Sequence, residues 1–139
     1  MNIAVYLGAN KGNNPVYEQT VKDLGAWIGS NGHHLIYGGS QVGLMGSLAI
    51  SVLEAGGCVT GVEPEFFIER DLQLDNLTEL IITKDMQERK AKMIELTDFF
   101  IAFPGGTGTI EEISEVVSMG CLGLMDKNMV IIMSMDIMI

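Results

Sequence analysis

Short apolar runs alternate along this chain with segments whose apolar residues recur at helical spacing, and that alternation limits the possible fold more than any other feature. Asn2–Gly8, Leu35–Tyr37, Cys58–Val62, Glu79–Thr83, Asp98–Phe103 and Met129–Met133 read as strands. Pro15–Ser30, Gly43–Ala55, Met86–Leu96 and Thr107–Leu122 read as helices. Val21, Leu24 and Ile28 mark the apolar face of the first helix. Leu44, Leu48, Val52 and Leu53 mark that of the second, which Gly56-Gly57 stops. Strands joined through helices need crossover connections, so the pattern predicts an α/β fold with a mainly parallel sheet and helices on both faces. Ligands in such folds bind beyond the carboxyl ends of the strands. Three strands run into glycine-rich loops, at Gly8-Ala9-Asn10, Gly38-Gly39-Ser40 and Pro104–Thr109, so all three are expected at one edge of the sheet.

Composition removes several classes of partner. A length of 139 residues suits a single domain, and no repeat or linker divides it. With 47% hydrophobic residues the chain can build a core, which excludes a disordered reading. A net charge of −10 disfavours nucleic acid and anionic membranes. No apolar run is long enough to span a bilayer. Met1–Tyr6 lacks the basic segment and cleavage site of a secretory signal. Cys58 and Cys121 match no metal or redox spacing, which predicts two buried free thiols and a cytoplasmic location. His33 and His34 have no nearby ligand set and are expected at a loop or strand entry.

The most specific motif is Pro104-Gly105-Gly106-Thr107-Gly108-Thr109-Ile110-Glu111-Glu112. A strand ends, glycines let the backbone approach a ligand, and a helix starts with free N–H groups, an arrangement that suits a phosphate. No lysine follows in the manner of a Walker loop, and the spacing is not that of a dinucleotide-binding loop. At about 100° per residue, Ile110, Ile113, Val116 and Val117 form one apolar stripe. Glu111 and Glu115 fall opposite it, and Glu112 lies on its border. A carboxylate on that border is either a catalytic group or a partner of the helix dipole, and Glu111 fits the second role better.

The second constellation is Met86–Met93, with Arg89 and Lys90 flanking the face shared by Met86 and Met93. Two inward cations need anions. Carboxylates of this acidic chain could supply them, and so could a ligand phosphate. The third is Tyr37–Gly46, again a glycine-rich loop leading into a helix. Simple turn and packing chemistry accounts for part of its glycine content.

Together these segments resemble the LONELY GUY (LOG) family of cytokinin-activating phosphoribohydrolases. The resemblance rests on Tyr-Gly-Gly-x-x-x-Gly-Leu-Met-Gly at Tyr37–Gly46, Met-x-x-Arg-Lys at Met86–Lys90 and Pro-Gly-Gly-x-Gly-Thr-x-x-Glu at Pro104–Glu112, and runs from about Ile3 to Lys127. Members have often carried the label lysine decarboxylase, but no lysine here sits in a recognisable pyridoxal-phosphate context. The resemblance implies a Rossmann-like fold and hydrolysis of the N-glycosidic bond of a nucleoside 5′-monophosphate. A free adenine-type base, often N6-modified, and ribose 5-phosphate would be released.

By position, the resemblance makes Arg89 and Glu112 the catalytic pair. It makes Lys90, Gly106, Thr107, Gly108, Thr109, Asp71 and Ser118 substrate-binding residues, Asp71 standing where relatives usually carry Glu. Gly105 belongs to the same loop, and Gly38 and Gly39 to the second glycine loop, whose backbone N–H groups suit the 5′-phosphate. A carboxylate near C1′ stabilises the cation that develops on the sugar as the base departs. No metal or redox cofactor is implied. The family also implies a homodimer with its sites near the subunit interface. Two departures are visible: Gly8-Ala9-Asn10 replaces a hydroxyl-bearing loop, and after Lys127 the chain turns into the methionine-rich run Asn128–Ile139. Residues 1–139 are therefore expected to form one domain lacking the family's usual closing strand and helix elements.

Overall fold

The computed structural model describes residues 1–8, 15–70, 73–103 and 107–131. Strands β1 (Asn2–Tyr6), β2 (His34–Tyr37), β3 (Cys58–Pro64), β4 (Glu79–Thr83), β5 (Phe99–Ala102) and β6 (Asn128–Ile131) form a sheet in the order β4-β3-β2-β1-β5-β6. Every pairing is parallel. The helices are α1 (Val16–Ser30), α2 (Gly43–Glu54), α3 (Glu65–Ile68), α4 (Met86–Leu96) and α5 (Thr107–Cys121). The elements match the expected ones within a few residues. The short α3 was not anticipated, since one turn carries no periodicity to read.

Side chains alternate across the sheet with the period of two that a pleated strand imposes. Ile3, Val5, Leu35, Tyr37, Val59 and Ile101 enter the cluster under α1 and α2. Ala4, Tyr6, Ile36, Val62 and Phe100 enter the cluster that also holds Met93 and Ile94 of α4 and Val116 of α5. The inner strands are thus covered on both faces, as their continuous apolar runs require. β1 lies between β2 and β5, and the order of connection reverses there: β2, β3 and β4 extend one way, β5 and β6 the other. The carboxyl ends of β1 and β5 therefore frame the switch point at which doubly wound sheets bind ligands.

Two expectations need correction. Cys58 and Cys121 are free but exposed. Cys58 is the first residue of β3 and Cys121 the last of α5, so each sits where its element leaves the core. The α5 stripe is also narrower than expected. Val116 is buried and Ile113 and Met119 pack against the core, whereas Ile110 and Val117 are exposed.

Helices α1 and α2 touch nearly backbone to backbone. A Cβ on Gly25 would lie 2.7 Å from Ser51 Cβ and 2.8 Å from the Leu48 carbonyl oxygen. Alanine favours a helix over glycine by about 1 kcal/mol, but a backbone atom cannot yield as a side chain does, and such overpacking costs about 1–3 kcal/mol. Gly25→Ala is therefore expected to lower the stability measured by urea denaturation. An unchanged or raised midpoint would show that the helices can separate at no cost.

Candidate active site

Arg89 is positioned from its own helix start. Asp85 caps α4, accepting from the Glu88 backbone N–H at 2.8 Å, while Glu88 Oε2 accepts from the Lys84 N–H at 3.3 Å. This reciprocal acid pair fixes the first turn, and Arg89, fourth in the helix, then lies over the carboxyl ends of β2 and β3. Its Nε donates to the Val62 carbonyl at 2.9 Å, and Nη1 approaches Met86 Sδ at 3.6 Å. The Phe67 ring of α3 lies 6.0 Å from its guanidinium carbon, within cation–π range. Only 8% of Arg89 is exposed. Among the described residues no carboxylate oxygen lies within 4.0 Å of it.

Its neighbour has the opposite fate. Lys90 Nζ pairs with Glu111 Oε1 at 2.9 Å and Glu115 Oε2 at 3.1 Å, tying α4 to α5. The hydrogen bonds it donates to Glu111 and then to Glu115 hold its ammonium above the usual lysine range. Of the two inward cations, Lys90 is therefore paired with carboxylates, whereas Arg89 among the described residues is not. Glu111 is exposed, as expected, but its partner is Lys90 rather than the helix dipole, while Glu115 is more sheltered than its place opposite the apolar stripe suggested.

Glu112 is half-buried in the second turn of α5. Burial pushes its carboxyl above the usual carboxylate range, and the nearby Arg89 charge only partly offsets this. The Tyr6 phenol at the end of β1 is stacked on Phe100, with ring centroids 6.1 Å apart. It is raised first by burial and then by the charges of Glu112 and Glu115, with Arg89 opposing. Arg89, Glu112 and Tyr6 thus form one electrostatic unit beside the switch point. Sequence reading missed Tyr6 as a site residue, because an aromatic ending a strand reads as core.

The remaining expected residues divide. Gly38 and Gly39 close β2 beneath Arg89: a Cβ on Gly38 would collide with Arg89 Nη2 and lie 2.6 Å from Met45 Cε. Gly39 has φ +88°, a conformation that glycine takes without strain. Thr109 is buried in the first turn of α5, which also contains Thr107 and Gly108. Ser118 is exposed further along that helix. Asp71, Gly105 and Gly106 lie outside the described residues, as do Ala9, Asn10 and the tail from Ile132. No three His, Cys, Asp or Glu side chains among the described residues cluster as metal ligands.

With this geometry in place, comparison with known proteins gives a consistent result. The family described as "Possible lysine decarboxylase" matches residues 45–136. The cytokinin riboside 5′-monophosphate phosphoribohydrolase of Rhodococcoides fascians is 44% identical over 132 residues, covering 94% of this chain and 67% of that protein. The enzyme of the same name from Arabidopsis thaliana is 38% identical over 125 residues, covering 90% and 55%. The chain belongs to the LOG family. It spans between about half and two thirds of the length of these relatives. Among solved structures, the molybdenum cofactor carrier protein of Chlamydomonas reinhardtii aligns with a TM-score of 0.77 at 22% identity, over 94% of this chain and 74% of that one. The molybdenum cofactor binding protein of Rippkaea orientalis aligns at 0.75 and 24%, over 94% and 74%. At these identities the likeness concerns the fold alone, and it agrees with the Rossmann-like reading.

The raised Glu112 carboxyl has a measurable consequence. Its ionisation costs nothing below the ordinary glutamate range near about 4.3. The cost grows as pH climbs toward its folded value and is constant above it. Glu112→Gln removes the charge and keeps the shape, so the variant's melting temperature relative to wild type is expected to be higher at about pH 8 than at about pH 4. A difference that is the same at both pH values, read from thermal melts, would mean that Glu112 titrates as it does in the unfolded chain.

Proposed function

We propose that this LOG-family chain hydrolyses the N-glycosidic bond of adenosine 5′-monophosphate and its N6-substituted relatives, releasing the free base and ribose 5-phosphate. The observation that carries the reading is the buried Arg89 guanidinium, which has no carboxylate partner among the described residues and lies beside a half-buried Glu112 at the ligand edge of the sheet. Arg89 meets an anionic part of the substrate, to which a guanidinium offers several directed donors. The start of α5 and the backbone of its glycine loop share that anion, the 5′-phosphate, with Arg89. As the base leaves, positive charge builds on the sugar ring, and the ionised Glu112 stabilises it or orients the attacking water. Asp71, Gly105, Gly106, Thr107, Gly108, Thr109 and Ser118 serve as further substrate contacts, with Gly38 and Gly39 beside Arg89. Lys90 acts chiefly by holding Glu111 and Glu115, and so the α4–α5 spacing.

The test is chromatographic. Incubation with AMP and with its N6-isopentenyl analogue is expected to yield free base and ribose 5-phosphate. Glu112→Gln is expected to lower turnover by at least about a hundredfold while AMP still binds, as for loss of one electrostatic or acid–base group. Glu111→Gln serves as the control and should change turnover little. AMP binding without release of base would instead favour a non-catalytic nucleotide carrier, and near-normal turnover by Glu112→Gln would remove Glu112 from the mechanism.

We further propose a homodimer acting in the cytoplasm. Free, exposed thiols at Cys58 and Cys121 suit a reducing compartment. Leu122 and Leu124, just past α5, are 73% and 70% exposed, and Ile110 and Val130 are exposed as well. Such surface is stabilised by a two-fold isologous contact. Light scattering at micromolar concentration is expected to give twice the 15.1 kDa chain mass. A monomer that persists at that concentration would contradict the dimer.

A further inference from the structure

Glu63 has no place in the mechanism described so far. It is the penultimate residue of β3 and only 1% exposed, and its Oε2 has no hydrogen-bond partner among the described residues. Alternation along β3 sends Val62 toward α4 and turns Glu63 to the α2 side with Val59. The Gly38–Gly39 turn lies between Glu63 and Arg89. A Cβ on Gly38 would run into Arg89 Nη2, and one on Gly39 would lie 2.6 Å from Glu63 Cγ and 2.8 Å from Cδ. Arg89 Nε is in turn bonded to the carbonyl of Val62, the residue before Glu63. A guanidinium and a carboxyl therefore clasp one two-glycine turn from opposite sides.

A buried carboxyl with an unpartnered oxygen lowers stability, and an apolar side chain of similar volume would fill the same space without that cost. The feature is thus unfavourable as packing, and among the described residues the cation whose charge acts on it is Arg89. We propose that Glu63 is a positioning residue for Arg89, its negative end holding the guanidinium over the Gly38–Gly39 turn in the orientation that receives the substrate's phosphate. This rests on the reading that Arg89 meets an anion. Among the described residues, the groups whose charge couples to Glu63 are Arg89 from α4 and the Tyr37 phenol from β2; burial raises the carboxyl and Arg89 opposes that shift.

The test pairs stability with binding, using inorganic phosphate as the probe and calorimetry as the readout. Glu63→Leu and Glu63→Gln are expected to melt no lower than wild type at neutral pH, yet to bind phosphate about tenfold more weakly. In an Arg89→Met background, Glu63→Leu is expected to cause no additional loss, because its effect runs through Arg89. A lower melting temperature with unchanged phosphate affinity, or an equal loss in the Arg89→Met background, overturns the proposal. If Glu63→Leu does not fold, Glu63→Gln, which keeps the shape, decides the same comparison. Phosphate binding that depends on Glu63 without AMP cleavage would defeat only the catalytic reading. Phosphate binding indifferent to Glu63 would defeat only this one, and a wild-type protein that binds no phosphate overturns both.

Discussion

A guanidinium taken out of water with no carboxylate oxygen in ion-pair contact among the described residues is the constraint around which this molecule is arranged. Arg89 keeps one backbone hydrogen bond, a thioether contact and an aromatic face, which together compensate a buried charge incompletely. Several otherwise unrelated features serve that placement. The Asp85 cap starts α4 at the right residue. Gly38 leaves room for Nη2 and Gly39 leaves room for Glu63, and the single turn of α3 brings up Phe67. In the proposed reading a phosphate in that position would supply the missing negative charge, so ligand binding and the local energetics would favour the same arrangement.

The adjacent Lys90 shows how narrowly this is drawn. One helical step, about 100°, turns its side chain toward α5, where Glu111 and Glu115 satisfy it. The same rotation sends Arg89 to the strand ends. The chain carries a net charge of −10, yet among the described residues its acidic groups are distributed so that Arg89 has no carboxylate in ion-pair contact at the carboxyl edge of the sheet. Glu112, raised by burial beside that cation, adds a carboxylate whose charge is favoured most when positive charge develops next to it.

Much of this was legible in the sequence, for identifiable reasons. Strand–helix alternation and crossover geometry led to a parallel sheet, and glycine loops after β1, β2 and β5 located its ligand edge. Helical rotation separated Glu112 from Glu111 and turned Arg89 and Lys90 inward. Rotation could not decide between a carboxylate and a ligand for each cation, because that depends on how α4 and α5 pack. Glu63 was invisible for a related reason: a glutamate near a strand end reads as an edge residue until the turn that buries it is known. Tyr6 was hidden among core aromatics. The expected burial of Cys58 and Cys121 failed because a type-based preference says nothing about the ends of elements, where both reside.

The central claim is that Arg89, without a carboxylate partner among the described residues, receives the substrate's phosphate, and ligand-induced stabilisation tests it most directly. At a hundred times its dissociation constant, AMP is expected to stabilise the wild-type protein by about 2.7 kcal/mol. Arg89→Met, which keeps the hydrophobic stem and relieves a buried charge, is expected to melt close to wild type and to gain nothing from the same concentration of AMP. An Arg89→Met protein stabilised by AMP as fully as wild type, or one that loses its fold in the absence of ligand, would contradict the account.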